Sequence, residues 1–469
     1  MNKKNVKQLL HAVDGTLMSG NEESQFQGVS IDSRNVQENQ LFICIRGERF
    51  DGHDFLAQAA EKKVSGIVVS ETEKIPASLL APVSGNPFIV LVRDTLIALQ
   101  DLAHFHKKNL HVRVIGVTGT NGKSTTKEMI ASVCGAKFKT LKTTGNLNNH
   151  IGLPLTLLEL RPVHKIAVLE MGMSGLGEIS RLAEIAEPNV GVITNISEAH
   201  LVRLKTVKNV QKAKGELFQA LNERGTAIVN ADDPLVLELA QSLRARRITF
   251  GIDKPADVRA SNIHPIKNSG FDFTVTLPEI SFPMHLPFLG YCNIYNALAA
   301  VATGYSLGLT PEEITKGLGR CQLMRQRGEV THHNSMTIIN DAYNANPQSM
   351  REALGILCRY NCSGRKFFVI GDMLELSDSA QKSHAQLGEE IAKSSIDCLV
   401  TVGPLATLAG ERAMDSGMKK NQIVLAKTHQ EAIDYLAGNA QSGDCLVFKG
   451  SRGSAMEKVI QGIIQKKNI

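Results

Sequence analysis

The chain has 469 residues, 43% hydrophobic and 21% charged, with a net charge of +6 at neutral pH. That length exceeds one ordinary core, so two or three domains are expected, with the composition of a soluble globular protein. The small positive balance suits anionic small substrates; with no dense basic patch, no Trp and only 5% aromatics, no nucleic-acid partner is expected. Residues 1–14 are basic and then amphipathic, and no run of about 18 apolar residues occurs, so neither a signal peptide nor a membrane span is expected and the chain is placed in the cytoplasm.

In chain order, residues 1–109 read as a small α/β domain. Strands are predicted at 28–34 and 41–45 around a turn, a helix at 54–63, a strand at 66–70 and a helix at 95–107, closed by the polar Lys107-Lys108-Asn109. Residues 110–325 alternate strand and helix, with strands at 112–117, 166–170, 190–194 and 227–230; this is the pattern of a mostly parallel, helix-covered sheet. Over 250–289 the pattern changes, and the period-two run from Phe271 to Leu277 predicts a small antiparallel addition. An Ala-rich helix is predicted at 293–307, and Thr310-Pro311-Glu312-Glu313 opens another with Thr as N-cap and Pro first inside. Residues 326–469 alternate again, with strands at 337–340, 367–370, 399–402 and 446–449, as in an open Rossmann-like domain. The fold class is therefore α/β, in three domains: a small N-terminal one, a central P-loop-type sheet and a C-terminal Rossmann-like one.

The chemistry begins at residue 112. An apolar strand meets the Gly-rich turn Gly119-Thr120-Asn121-Gly122-Lys123-Ser124-Thr125, and a helical pattern follows with Thr126, Met129, Ile130 and Val133 on one face. Backbone N–H groups of such a turn and helix start face a polyphosphate, Lys123 neutralises it, and the Ser124 hydroxyl can ligate Mg²⁺. The spacing is not that of the strict P-loop, which wants Gly at 117, where Val117 stands; the glycines are 116, 119 and 122.

Ligands of open α/β sheets bind at the carboxyl ends of strands. Glu170 closes one buried strand, well placed to hold Mg²⁺ or to face solvent. Asn195 closes another, with His200 five residues on; a lone His is more often structural than a ligand. Residues 205–216 form a Lys-rich helix that reads as a solvated face, and nothing in it singles out Lys214. In the third domain Asn340-Asp341-Ala342-Tyr343-Asn344-Ala345-Asn346-Pro347, Gly371-Asp372-Met373-Leu374-Glu375 and Lys449-Gly450-Ser451-Arg452-Gly453 are polar strand ends, favouring a cleft over ordinary turn chemistry. The eight cysteines are scattered without a C-x-x-C, so free thiols are expected rather than a zinc site.

Gly119 to Thr125 resembles the ATP loop of the Mur ligases and folylpolyglutamate synthetases, which depart from the strict P-loop in this way. Asp32-Ser33-Arg34 and Asp51-Gly52-His53-Asp54-Phe55 resemble the N-terminal domain of two branches of that family. The run from Thr144-Gly145-Asn146-Leu147-Asn148-Asn149 to Thr156, Asp341 to Pro347, Gly371 to Leu376, and Lys449 to Arg452 with Met456-Glu457 are similar to one branch in particular. That branch joins D-alanyl-D-alanine to UDP-N-acetylmuramoyl-tripeptide in bacterial cell-wall synthesis. The resemblance covers nearly the whole chain.

The resemblance implies a UDP-MurNAc-binding domain at 1–109, an ATP-binding domain at 110–325, and a mobile domain at 326–469 that closes on ATP and binds the incoming dipeptide. It implies nucleotide contacts from Thr118, Gly119, Thr120, Asn121, Gly122, Lys123, Ser124 and Thr125, from Asn293 and Asn296 near adenine, and from Arg327, Asp341 and Tyr343. It implies that Ser124, Glu170 and His200 surround one or two Mg²⁺. Lys214 then matches the family's carbamylated lysine, in which CO₂ turns a cation into an anionic oxygen ligand. Lys123, Glu170, His200 and Lys214 are the implied catalytic set, and Ser33, Arg34, Thr144, Asn148, Asn149, Asn344 and Asn346 the implied substrate contacts. A monomer is expected. Two positions depart from the family: Cys292 where His is common, and Ser377 where Gly is usual.

The implied reaction is attack of a peptide carboxylate on the ATP γ-phosphate, then of the dipeptide amine on the acyl phosphate. Both partners of the first step are anionic, so Mg²⁺ and Lys123 must screen them. The alternatives are a MurE-like ligase or a folylpolyglutamate synthetase, an ATP-gated binding protein, and a phosphoryl-transfer kinase. A MurE-like chain is expected to carry His-Asn-Pro or His-Thr-Pro where this one has Asn344-Ala345-Asn346-Pro347.

Overall fold

The computed structural model describes residues 1–467 apart from 2, 82 and 84; these three, with 468 and 469, fall in the expected first and third domains and lie outside the described residues. The chain is α/β and forms two compact units. One comprises Met1–Gly116, Phe138–Met173 and Glu178–Asn189; the other comprises Val117–Lys137, Ser174–Gly177 and Val190–Ile469. The strand Arg113–Thr118 carries the chain from the first into the second.

In the first unit a five-stranded sheet runs in the order Thr16–Ser19, Phe88–Leu91, Gly66–Val69, Leu41–Ile43, Val29–Ser30. The first pairing is antiparallel and the rest parallel. Phe42, Ile67, Val69 and Ile89 cover one face and pack with Leu56 and Ala59. Gly66 has no alternative there, because the Phe88 ring occupies the space of a Cβ. The strand predicted at 28–34 is only Val29–Ser30. Asp32 ends it: its carboxylate accepts from Arg34 N and its carbonyl from Asn35 N and Val36 N, a local turn that competes with the ladder. The predicted helix at 54–63 starts earlier, as a 3-10 turn over Gly52–Phe55 capped by Asp51, and continues as Leu56–Glu61. The unit also holds the parallel pair Thr140–Lys142 and Ile166–Glu170.

In the second unit Val190–Ile193, Thr226–Asn230, Arg246–Gly251 and Val258–Ile266 pair in parallel, in chain order. Gly270–Thr276 and Ser281–Leu286 then add antiparallel, as the period-two run predicted. A separate six-stranded sheet in this unit has the order Glu329–His333, Met336–Asp341, Cys445–Lys449, Lys366–Gly371, Cys398–Val402, Ile423–Ala426. All but the first hairpin pairing is parallel. Alternate residues fill two cores. Ile339, Phe368, Ile370, Leu399 and Val447 face one; Ile338, Phe367, Val369, Val400, Leu446 and Phe448 face the other. A sheet buried on both faces needs such continuous apolar strands. The strand formed last in the chain inserts between Met336–Asp341 and Lys366–Gly371, so the three polar strand ends are neighbours.

Candidate active site

The phosphate loop is shaped by two glycines and by the next strand end. Gly119 and Gly122 have φ of 148° and 79°, where a Cβ is strained. A Cβ at Gly119 would also collide with Thr194 Oγ1, and one at Gly122 with Asn296 Oδ1. The loop is laced to residues 194–197. Thr194 Oγ1 donates to Asn121 O (2.6 Å), Asn121 N to Asn195 Oδ1 (2.9 Å) and Ser197 N to Thr120 Oγ1 (2.9 Å). The helix Lys123–Gly135 starts at Gly122 without a side-chain cap, and the N-terminus of a helix attracts an anion. Ser124 and Thr125 are buried in its first turn. Asn296 accepts from Thr126 Oγ1 (3.1 Å) and donates to Asn293 Oδ1 (2.9 Å), so both residues expected near adenine stand beside this helix.

Two lysines converge on one carbonyl. Lys123 Nζ donates to Gly119 O (2.9 Å) and Thr120 O (3.1 Å), and Lys214 Nζ donates to the same Gly119 O (2.8 Å). Lys214 is buried, and burial together with the charge of Lys123 pushes its ammonium well below the usual lysine range. The helix Val207–Gln219 is therefore not a uniformly solvated face. Lys208 and Lys212 are exposed, whereas Val210, Lys214, Leu217 and Phe218 recur at helical spacing on the buried side. That period was the signal in the sequence for Lys214.

His200 donates from Nδ1 to Glu375 Oε2 (2.9 Å), linking residues far apart in sequence within one unit. This hydrogen bond, and the charge of Lys123, hold the Glu375 carboxyl below its ordinary value against the opposing effect of burial. The Gly371 to Leu376 stretch was expected to line a cleft; its partnership with His200 was not legible.

At the other polar strand ends, Lys449 is buried and donates to Asp341 Oδ2 (2.6 Å), Asn344 O (3.0 Å) and Asp341 O (3.3 Å). The Arg327 guanidinium lies 3.9 Å from the Tyr343 ring centroid, and its buried Nε has no hydrogen-bond partner among the described residues. Asn346 caps the helix Pro347–Arg359 and exchanges hydrogen bonds with Asn121 of the phosphate loop, 2.7 and 3.3 Å long. Asn344 is exposed. Ser377 has φ of 50°, which accounts for the Gly usual there. Cys292 opens the helix Cys292–Ser306, and burial pushes its thiol up.

The first unit holds the remaining residues. Glu170 ends its strand buried; Asn148 Nδ2 donates to Oε1 (2.8 Å), while Oε2 has no hydrogen-bond partner among the described residues. Asn149 Oδ1 accepts from Ile151 N and Gly152 N, and Thr144 is exposed. Ser33 Oγ donates to Gln58 (2.7 Å) and Arg34 pairs with Asp32 (2.9 Å). Asp51, His53 and Glu71 are close enough to hold a cation. Their charge is already met: Lys74 and Arg46 pair with Asp51, and Arg46 also with Glu71.

Residues 25–111, 117–304 and 319–452 match the family models described as Mur ligase family, catalytic domain; Mur ligase middle domain; and Mur ligase, glutamate ligase domain. The chain is 38% identical over 467 residues, 99% of each sequence, to the UDP-N-acetylmuramoyl-tripeptide–D-alanyl-D-alanine ligase of Bacillus subtilis strain 168. The chain belongs to the Mur ligase family. Among solved Mur ligases, MurF of Acinetobacter baumannii superposes with a TM-score of 0.88 at 32% identity over 99% of each chain. MurF of Thermotoga maritima in complex with ADP superposes with 0.81 at 27% identity, over 94% of this chain and 98% of that one.

Proposed function

We propose that this Mur ligase joins D-alanyl-D-alanine to UDP-N-acetylmuramoyl-tripeptide, cleaving ATP to ADP and phosphate, in peptidoglycan precursor synthesis. The observation that carries the reading is the full-length likeness to a relative of that name. ATP as co-substrate is supported by the ADP complex of a similar chain and by the uncapped phosphate-loop helix.

In this reading residues 1–109 bind the UDP-sugar, 110–325 bind ATP, and 326–469 close on ATP and receive the dipeptide. Thr118 to Thr125, Asn293 and Asn296 hold the nucleotide, with Arg327, Asp341 and Tyr343. Ser33, Arg34, Thr144, Asn148, Asn149, Asn344 and Asn346 face the other substrates. The peptide carboxylate attacks the γ-phosphate, forming a C–O–P linkage and releasing ADP. The dipeptide amine then attacks the acyl carbon, loses a proton and expels phosphate. Lys123 balances charge as the two anions approach.

Ser124, Glu170, His200 and Lys214 are the proposed ligands of one or two Mg²⁺, and their own surroundings suit that. Glu170 has a buried, unpartnered oxygen, which a cation would satisfy. Lys214 is held toward the neutral amine, the form that takes up CO₂ and loses a proton to become a carbamate. Bound Mg²⁺ supplies charge neutralisation of the phosphates. No helix among the described residues is long and apolar enough to cross a membrane; a cytoplasmic monomer is the accompanying proposal.

The test is a substrate panel following ADP, phosphate and amide product together. No phosphate release on adding D-alanyl-D-alanine to UDP-MurNAc-tripeptide, ATP and Mg²⁺ refutes the assignment. A kinase leaves phosphate on its product, and a gated binding protein turns over nothing. Lys214→Ala is expected to lose activity and to regain part of it with a short-chain carboxylate.

A further inference from the structure

The contact between His200 and Glu375 joins the Mur ligase middle segment to the glutamate-ligase segment. Both residues hold left-handed backbone, with φ of 53° and 70°, a conformation that residues with a Cβ keep only where their surroundings impose it. The surroundings do so on both sides. On the His200 side, Ile196 N donates to Asp233 Oδ2 (2.7 Å) and Ser197 N to Thr120 Oγ1 (2.9 Å), tying the segment to the phosphate loop. His200 O then accepts from Arg203 N and Leu204 N. On the Glu375 side, Met373 N donates to His384 Nε2 (3.0 Å) and Leu374 N to Ser451 Oγ (2.8 Å). Two restrained loops thus present one imidazole to one carboxylate.

An imidazole that donates from Nδ1 keeps its lone pair on Nε2, and a carboxylate on the far nitrogen is the usual partner of a metal-ligating His. We propose that Glu375 is the positioning residue for His200: it fixes the tautomer and aims Nε2, so docking of the glutamate-ligase segment and completion of the cation ligand set are a single event. The inference rests on the reading of His200 as an Mg²⁺ ligand. It gives Glu375 a part in the reaction without contact with substrate. It also makes the imidazole a stronger, better-aimed ligand while the two segments are together.

The test is Mn²⁺ binding, followed by electron paramagnetic resonance, to the full chain saturated with a non-hydrolysable ATP analogue. His200→Ala and Glu375→Ala are each expected to weaken Mn²⁺ by about 10-fold or more, the usual effect of losing a ligand or its orienting partner. Glu375→Gln is expected to keep most of the affinity, because its amide oxygen accepts the same Nδ1–H. The double variant His200→Ala/Glu375→Ala is expected to bind no more weakly than His200→Ala, since the two residues act through one nitrogen. Glu375→Asn suits the left-handed backbone and is too short to reach; it is expected to match Glu375→Ala and serves if that variant folds poorly. Wild-type affinity in Glu375→Ala and Glu375→Asn, with loss in His200→Ala, overturns the positioning role and leaves the ligand reading standing. Wild-type affinity in His200→Ala overturns both.

Discussion

Replacing Lys449 with Met keeps the length of the side chain and removes its charge. The structure says what that costs. Lys449 is 3% exposed and its ammonium serves three oxygens, one of them the carboxylate of Asp341. Breaking a fully buried ion pair costs about 3–5 kcal/mol, because the remaining charge is left uncompensated. The Asp341 side chain is 25% exposed, so its carboxylate recovers some water and the figure must be discounted. A loss of about 2–4 kcal/mol is expected, the lower end being a single charge-assisted hydrogen bond. For a domain of this size that lowers the melting midpoint of the C-terminal sheet by about 6–12 °C. A chain of several domains does not melt in one step, so calorimetry with resolved transitions is the assay. The ATP KM is expected to rise as well, because Asp341 is a proposed nucleotide contact. Asp341→Asn/Lys449→Met is expected to recover part of the midpoint, as no charge is then orphaned. A shift under about 2 °C, or a double variant worse than Lys449→Met, refutes the reasoning.

Gly119→Ala adds a Cβ both at a positive φ and into Thr194 Oγ1; a loss of about 3 kcal/mol or more in urea unfolding is expected, and Thr194→Gly in the same chain is expected to restore some of it. Ser377→Gly relaxes left-handed backbone and is expected to stabilise by up to about 1 kcal/mol; a lower melting midpoint contradicts that account. His106 is buried, donates to Leu160 O (2.9 Å), and burial holds its pKa at about 4, below the ordinary 6.5. Its neutral form belongs to the fold, so stability is full above pH 6.5 and is lost as pH falls from there toward 4. At pH 5 the loss from this group is about 2 kcal/mol, and His106→Gln is expected to flatten the urea midpoint against pH over that window.

Much of the fold was written in apolar runs. The four central C-terminal strands are continuous and hydrophobic because both faces of their sheet are buried, and each was found within a residue or two, whereas the two edge strands, the largely exposed Glu329–His333 and the short Ile423–Ala426, were missed. The strand predicted at 28–34 shows where such reading fails. Asp32 has its own turn to make, and one short polar side chain outweighs the propensity of its neighbours. The phosphate loop was legible from local order, since a strand, glycines, Lys-Ser and a helix suffice to describe it. Lys214 was half legible: the burial period places it, but charge counting hid it among exposed lysines. The pairing of His200 with Glu375 was not legible at all. No local pattern records a contact between residues brought together only by tertiary structure, and neither residue lies on a regular face of a strand. Asn148 belongs to the same class, as its hydrogen bond to Glu170 depends on how a loop folds back on a strand end.

The insertion of Cys445–Lys449 between Met336–Asp341 and Lys366–Gly371 governs the order in which the chain can mature. The centre of that sheet is its last strand to leave the ribosome. Until then, both flanking strands present unpaired edges, and Asp341 lacks the lysine that holds it. Closure across such sequence separation is slow, and open edges favour pairing with the wrong chain. A nascent or truncated chain short of residue 445 is therefore a ready client for chaperones and proteases, and the proposed nucleotide contact at Asp341 gains its lysine partner only once that last strand is in place.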